Sequence, residues 1–197
     1  ILADGSLGAR TAALTEPYND DPSTKGMSLY SQEQLNDLVE KAHKAGLQLA
    51  IHAIGDQAVD MVLTTLESVL KKESKKRHRH RIEHASVLNE RLIQRMKKLG
   101  VIATVQPHFI ISDFWVVDRV GPKRARWVYP FKTLIQKGLL TAGGSDCPVE
   151  PISPLLGIYA AAARKTSPDE EISVDEALRL YTVNAAYASF EENIKGS

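Results

Sequence analysis

The sequence predicts an α/β fold with a parallel sheet, arranged as part of a (β/α)8 barrel. Short apolar segments alternate with amphipathic helical segments along the whole chain, and strict alternation with short connections is typical of parallel sheets and barrels. A complete barrel usually takes about 250 residues, whereas this chain has 197 residues and room for about four and a half βα units. We therefore expect a partial barrel that occupies residues 1–197 as one domain.

The helices are predicted from apolar spacing and from residues that start or end helices. Ser31 and Gln34 have the spacing of a capping box, and apolar residues then repeat at helical spacing until Gly46. Ser173 opens the last helix by the same pattern. We predict helices over 31–46, 56–70, 89–99, 131–137, 154–164 and 173–190.

The strands are predicted as short, apolar segments that are buried on both faces. We place them over 47–54, 81–85, 101–106 and 139–143. Residues 4–30, 107–130 and 144–154 are predicted as loops, and long ordered loops usually carry function. The chain opens on Ile1-Leu2-Ala3, which we interpret as the tail of a further strand, and hence the chain as a piece of a larger protein.

Composition excludes several classes of function. Lys plus Arg is 25 and Asp plus Glu is 24, so the net charge is +1, and we expect binding neither to nucleic acid nor to an anionic membrane. No apolar run approaches the roughly 20 residues of a spanning helix. The single cysteine, Cys147, excludes an internal disulfide and indicates the reducing cytoplasm; we interpret it as a small packing residue.

Three polar residues stand at or near the carboxyl ends of predicted strands. They are His52, His84 and Asp146. In parallel barrels this end of the sheet is the active face, and two imidazoles with one carboxylate suit Zn²⁺ or a similar cation. A lone histidine at a strand end is more often a hydrogen-bonded core residue, and a lone Gly-Ser-Asp is usually a turn, so the hypothesis of a metal site rests on the equivalent positions of the three residues.

Six motifs occur in order along the chain, and together they resemble one known group of enzymes. They are DGSLGARTA at 4–12, HAIGDQAVD at 52–60, RIEHA at 81–85, VQP at 105–107, GSDCPVE at 144–150 and YTVNAA at 181–186. This set is similar to the YtcJ-like branch of the amidohydrolase superfamily, which includes formamide deformylases and AepA-type regulatory proteins. The resemblance covers nearly the whole chain.

The resemblance implies a metal-dependent hydrolase on a TIM-like (β/α)8 barrel, of which about strands 4–8 are present. The amino-terminal strands, a β-sandwich, an upstream Lys and a His-x-His motif of the family would lie outside this sequence. His52, His84 and Asp146 match metal ligands, with zinc as the first candidate, and Asp146 also handles the proton of the attacking water. The implied substrate is a small molecule with an amide or formamide C–N bond.

Weaker candidates lie on the predicted loops. Arg10, Gln106 and His108 could bind substrate, or could make ordinary loop hydrogen bonds. Aromatic residues of the second long loop could form a pocket wall or pack locally; these are Phe109, Phe114, Trp115 and Trp127. We interpret His43, His78 and His80 as solvated surface residues.

Two other classes of function stay open. The parent protein could be a regulatory, non-catalytic protein that keeps the fold, as the AepA name suggests, or the chain could be a structural α/β domain with incidental histidines. We also expect the chain in isolation to self-associate. A half barrel leaves open sheet edges, at 47–53 and 139–143, and an uncovered inner face that we expect to be apolar.

Overall fold

Four parallel strands form one sheet in the order β1-β2-β3-β4. The structure, a computed structural model, describes residues 1–73 and 77–196. The strands are β1 (Ala50–Ala53), β2 (Arg81–His84), β3 (Ile102–Val105) and β4 (Thr141–Gly143). Each pairs with the next one along the chain, so the predicted parallel sheet is confirmed, with strands shorter than their apolar segments.

Helices connect the strands and follow the last one. They are α1 (Gln32–Lys44), α2 (Asp56–Lys72), α3 (Glu90–Leu99), α4 (Phe109–Ser112), α5 (Val116–Val120), α6 (Pro122–Ala125), α7 (Phe131–Gln136), α8 (Pro154–Ala162), α9 (Val174–Tyr181) and α10 (Val183–Ala188). The capping box of Ser31 and Gln34 is present at α1. Across the described residues, none of these helices has the length and apolar character needed to cross a membrane.

Two predictions of secondary structure are wrong. The predicted loop 107–130 contains the three short helices α4, α5 and α6. Phe109, Ile110 and Val120 are buried, and tertiary packing of this kind stabilises short helices whose sequence does not predict them. The predicted helix 173–190 is two helices, α9 and α10. The break falls at Thr182, whose φ of −116° and ψ of −102° are not helical.

The main core joins the sheet to its helices. Ile51 of β1 and Ile82 of β2 are fully buried in the same cluster as Leu35 of α1, Leu63 of α2 and Leu92 of α3. The first residues of the chain extend the sheet beyond β1, since Leu2 bridges His52 in parallel and the backbone N–H of His52 donates to Ile1.

The other face of the sheet is half-buried and polar. The register pairs Ala50 with Arg81 and His52 with Glu83, and these four residues are only partly buried. Our expectation of an apolar inner face is therefore wrong. Exposed apolar side chains lie at several other places, among them Ile152 and α8.

Of the three histidines predicted to be solvated, His43 and His80 are buried and His78 is partly buried. His43 and His80 are 0% and 1% exposed and hydrogen-bond to each other at 2.8 Å, and the ring centroid of His78 lies 4.6 Å from that of His80. His43 continues the spacing of Leu35 and Val39 on the buried stripe of α1. The position of His43 on this apolar stripe, and not its polarity, accounts for its burial.

Candidate active site

A cavity of about 640 Å³ opens at the carboxyl ends of the strands, and it contains all three predicted metal ligands. His52, His84 and Asp146 each contribute to its lining. Its apolar and aromatic wall includes Leu7, Phe109, Trp115 and Tyr129. The structure therefore brings the three residues from three different strand ends to one space.

His84 reaches this cavity because the backbone leaves the strand conformation there. Side chains alternate between the faces of a strand, so the register that pairs His52 with Glu83 would send His84 to the opposite face. However, φ is +74° at His84 and +45° at Ala85, a left-handed conformation that is uncommon outside glycine. The rings of His52 and His84 consequently meet edge to face, with centroids 4.5 Å apart.

Hydrogen bonds assign the tautomer of His52. Its Nε2 lies 2.9 Å from the carbonyl oxygen of Gly5 and 3.4 Å from Oδ1 of Asp4. Because a carbonyl only accepts, Nε2 carries the proton, and Nδ1 keeps its lone pair. Burial lowers the pKa of His52, but the contacts with Asp4 and Gly5 outweigh burial and raise the pKa overall.

His84 is held by a second buried group. Its Nδ1 lies 2.8 Å from Oε1 of Gln106, and its ring is parallel to that of Phe109 at a centroid distance of 6.1 Å. The pKa of His84 is lowered, first by burial and then by the neighbouring His52. A neutral imidazole at neutral pH is the form that binds metal ions.

Asp146 projects from the turn after β4. Its φ is +57°, and its carbonyl accepts from the N–H of Val149 at 2.9 Å. The side chain is exposed and acts electrostatically on both histidines, where it favours their charged forms. The adjacent Cys147 is exposed as well, so our interpretation of it as a packing residue is wrong.

The donor types at this cavity suit a borderline divalent cation. Both imidazoles have one nitrogen engaged in a hydrogen bond and one lone pair left over, and a carboxylate shares the cavity. Within residues 1–73 and 77–196, however, no three His, Cys, Asp or Glu side chains are arranged to hold a metal ion. The described residues therefore offer donor groups of the right type that are not arranged around one point in this structure.

The three predicted substrate-binding residues lie in different surroundings. Arg10 forms an ion pair with Asp20 at 3.0 Å and does not line the cavity. Gln106 lines the cavity and contacts His84. His108 hydrogen-bonds through Nδ1 to Glu150, a buried residue of the cavity wall.

Tyr129 and Asp113 belong to the cavity wall, but the sequence did not identify them as site residues. The hydroxyl of Tyr129 donates to Asp113, both residues line the cavity, and Tyr129 has a φ of +51°. Burial raises the pKa of Asp113, and Glu150 adds to the effect while the bond from Tyr129 opposes it. Their only signal in the sequence was their place in the long loop. Of the four aromatic candidates, Phe109 and Trp115 line the cavity.

A parallel βα sheet with imidazole and carboxylate groups around a cavity at its strand ends has the arrangement of the active face of barrel enzymes. The comparison with known families agrees. The profile described as "Amidohydrolase family" matches residues 1–197, and the chain belongs to this family.

Relatives of this chain include curated proteins and solved structures. The chain is 45% identical over 207 aligned positions to the "Putative amidohydrolase YtcJ" of Bacillus subtilis, with 100% of this chain and 38% of that protein covered. It is 32% identical to the "N-substituted formamide deformylase" of Arthrobacter pascens, covering 87% of this chain and 33% of that protein. The crystal structure of an uncharacterized metal-dependent hydrolase from Pyrococcus furiosus has a TM-score of 0.91 at 41% identity, covering 100% of this chain and 40% of that one.

The chain spans 38% of the length of the Bacillus relative and 40% of that of the Pyrococcus structure. It thus corresponds to a part of the proteins it resembles. The resemblance to the YtcJ-like branch that the six motifs carry is confirmed.

Proposed function

We propose that this chain is the part of a metal-dependent hydrolase that carries about strands 4–8 of the barrel. The substrate is a small molecule with a non-peptide amide or formamide bond. The names of the Bacillus and Arthrobacter relatives support a C–N bond. The balanced charge of the chain argues against a nucleic-acid partner, and its single cysteine fits a cytoplasmic location.

One observation carries the proposal. His52 and His84 belong to neighbouring strand ends, each has one ring nitrogen tied to an oxygen acceptor, and Asp146 shares their cavity. Histidines that bind metal usually donate their other N–H to such an acceptor. We therefore assign Nδ1 of His52, Nε2 of His84 and the carboxylate of Asp146 as ligands of a divalent metal, with zinc as the first candidate.

The metal, when bound, supplies Lewis-acid polarisation of the carbonyl and a lower pKa for the attacking water. Asp146 accepts the proton of that water at a carboxylate oxygen and delivers it to the leaving nitrogen as the C–N bond breaks. The products are a carboxylic acid, which releases its proton to water, and an amine. Phe109, Trp115 and Tyr129 form the wall against which the apolar part of the substrate packs.

The test uses the intact protein with Zn²⁺ and a panel of N-substituted formamides and small amides. Asp146→Asn should lower kcat by about 10²–10⁴-fold, the usual contribution of an acid–base residue. Asp169→Asn is the matched control, since Asp169 is an exposed residue of the 3-10 segment Pro168–Glu170. Unchanged turnover in Asp146→Asn, or a wild-type protein that hydrolyses nothing on the panel, would contradict the proposal; the second result would favour a regulatory role.

A further inference from the structure

We propose that Gln106 is a positioning residue for His84 and does not bind substrate, which was one of the two roles that the sequence left open. The inference rests on the proposed function for its metal-binding part. It starts from one contact: Oε1 of Gln106 lies 2.8 Å from Nδ1 of His84, and both residues are buried.

The backbone of β3 determines which way the Gln106 amide points. Its Nε2 donates to the carbonyl oxygen of Thr104 in a long hydrogen bond of 3.4 Å. The reversed amide would place Oε1 against that carbonyl, acceptor against acceptor, and Nε2 against the imidazole. The Thr104 carbonyl therefore keeps the amide oxygen turned toward His84.

This orientation determines the tautomer of His84. An amide oxygen only accepts, so Nδ1 of His84 carries the proton and donates it to Gln106. Nε2 is then the nitrogen with a free lone pair, which a metal ligand requires. The chain of contacts runs from a strand carbonyl through Gln106 to the ring, and it resists rotation of the ring about its side-chain bonds.

A neutral acceptor is well suited to this position. A carboxylate in the place of Gln106 would stabilise the imidazolium form and compete with metal binding at low pH. The amide of Gln106 carries no net charge and orients the ring without adding an ionic attraction to it. Gln106 thus determines the position and the tautomer of the ring.

The first measurement is the affinity of the intact protein for Zn²⁺, determined by competition with a chromophoric chelator. Gln106→Leu removes the acceptor and should weaken binding by about 10–100-fold, the usual effect of losing a partner behind a metal ligand. Gln106→Glu keeps an acceptor of the same length and should restore affinity to within a few-fold at pH 8. Gln94→Leu, at an exposed glutamine of α3, is the control.

The second measurement is the crystal structure of each variant without metal. In Gln106→Leu the His84 ring should leave its position or become disordered, because its buried N–H has lost its acceptor, whereas in Gln106→Glu it should stay. A His84 ring that keeps its place in Gln106→Leu, together with unchanged zinc affinity, would overturn the inference.

The same variants distinguish a positioning role of Gln106 from a role in substrate binding, and from a failure of the proposed function. A Gln106→Leu protein with normal zinc affinity and a raised KM alone would identify Gln106 as a substrate-binding residue and reject the positioning role. A wild-type protein that does not bind zinc would contradict the proposed function. In that case the ring positions in the metal-free variants would still decide the role of Gln106.

Discussion

Asp4 is a single carboxylate that joins three segments of the chain behind the cavity. Its Oδ2 accepts from the backbone N–H groups of Ala13 and Gly55 at 2.8 and 2.9 Å, and its Oδ1 accepts from Ile54 at 3.0 Å. Charge-assisted bonds of this kind are the stronger ones in proteins. Asp4 thereby fixes the neighbouring Gly5, whose carbonyl orients His52.

At the same scale, His78 makes the stability of the fold depend on pH. Its Nδ1 accepts from the N–H of His80 at 2.9 Å, and its Nε2 donates to the carbonyl of Leu99 at 2.8 Å, so the neutral form satisfies both contacts. The pKa of His78 is lowered, first by burial, and His43 adds to this while the Leu99 carbonyl opposes it.

The sign of this effect follows from proton linkage. With a folded pKa below the unfolded value of about 6.5, the unfolded state binds the proton first as pH falls, so the folded state loses stability from about pH 6.5 down to the folded pKa. In urea unfolding of the intact protein, His78→Gln should cost about 1 kcal/mol at pH 8 for its lost hydrogen bonds.

The difference in free energy of unfolding between His78→Gln and the wild type should be smaller at pH 5.5, because only the wild type is destabilised by protonation of His78. A difference between variant and wild type that is the same at both pH values would contradict the prediction.

At the scale of elements, the junction between the first loop and α2 depends on the close approach of two backbone segments. A Cβ added to Gly55 would lie 1.9 Å from the carbonyl oxygen of Ala13. That carbonyl accepts from the N–H groups of Gln57 and Ala58 at the start of α2, so it cannot move without breaking them.

Gly55→Ala should therefore lower the free energy of unfolding by about 1–3 kcal/mol, the usual cost of overpacking. Gly144→Ala is the matched control, because a Cβ at Gly144 meets nothing within 4 Å, and its effect should stay within about 0.5 kcal/mol. The measurement is chemical denaturation of both variants. Equal free energies of unfolding for the two variants would contradict the prediction and would show that the Ala13 segment can move away from the added Cβ.

At the scale of the whole molecule, apolar exposure is concentrated around α8. We call Ile152, Leu155 and Tyr159 the α8 patch; these residues are 77%, 73% and 58% exposed. Large apolar patches on soluble proteins usually mark contact surfaces. The edge of the described sheet at β4 is less available for pairing, since Thr141 is buried and its carbonyl accepts from the side chain of Asn184.

We predict that the isolated chain self-associates through the α8 patch at micromolar concentration. Leu155→Glu should shift sedimentation toward smaller species, since a charge at the contact must be desolvated. Leu47→Glu, at a leucine 59% exposed after α1, should leave the distribution unchanged. A wild-type chain that sediments as a monomer independent of concentration would contradict the prediction.

The sequence by itself determined the order of the strands and of the longer helices, and it identified His52, His84 and Asp146 as the residues of greatest chemical interest. The capping residues Ser31 and Ser173 and the stop glycines mark helix ends through local backbone chemistry. Alternation of strands and helices predicted the parallel sheet, because parallel strands need such crossovers. The motifs around His52 and Asp146 identified the family, which the comparison confirmed.

Only the tertiary structure decided which side chains meet. His84 enters the cavity through a left-handed backbone that breaks strand alternation. Gln106 turns toward His84 because the Thr104 carbonyl holds its amide, and His43 is buried because His80 offers it a partner. These outcomes depend on groups that are distant in sequence, and a pattern read along the chain contains no information on such contacts until the chain has folded.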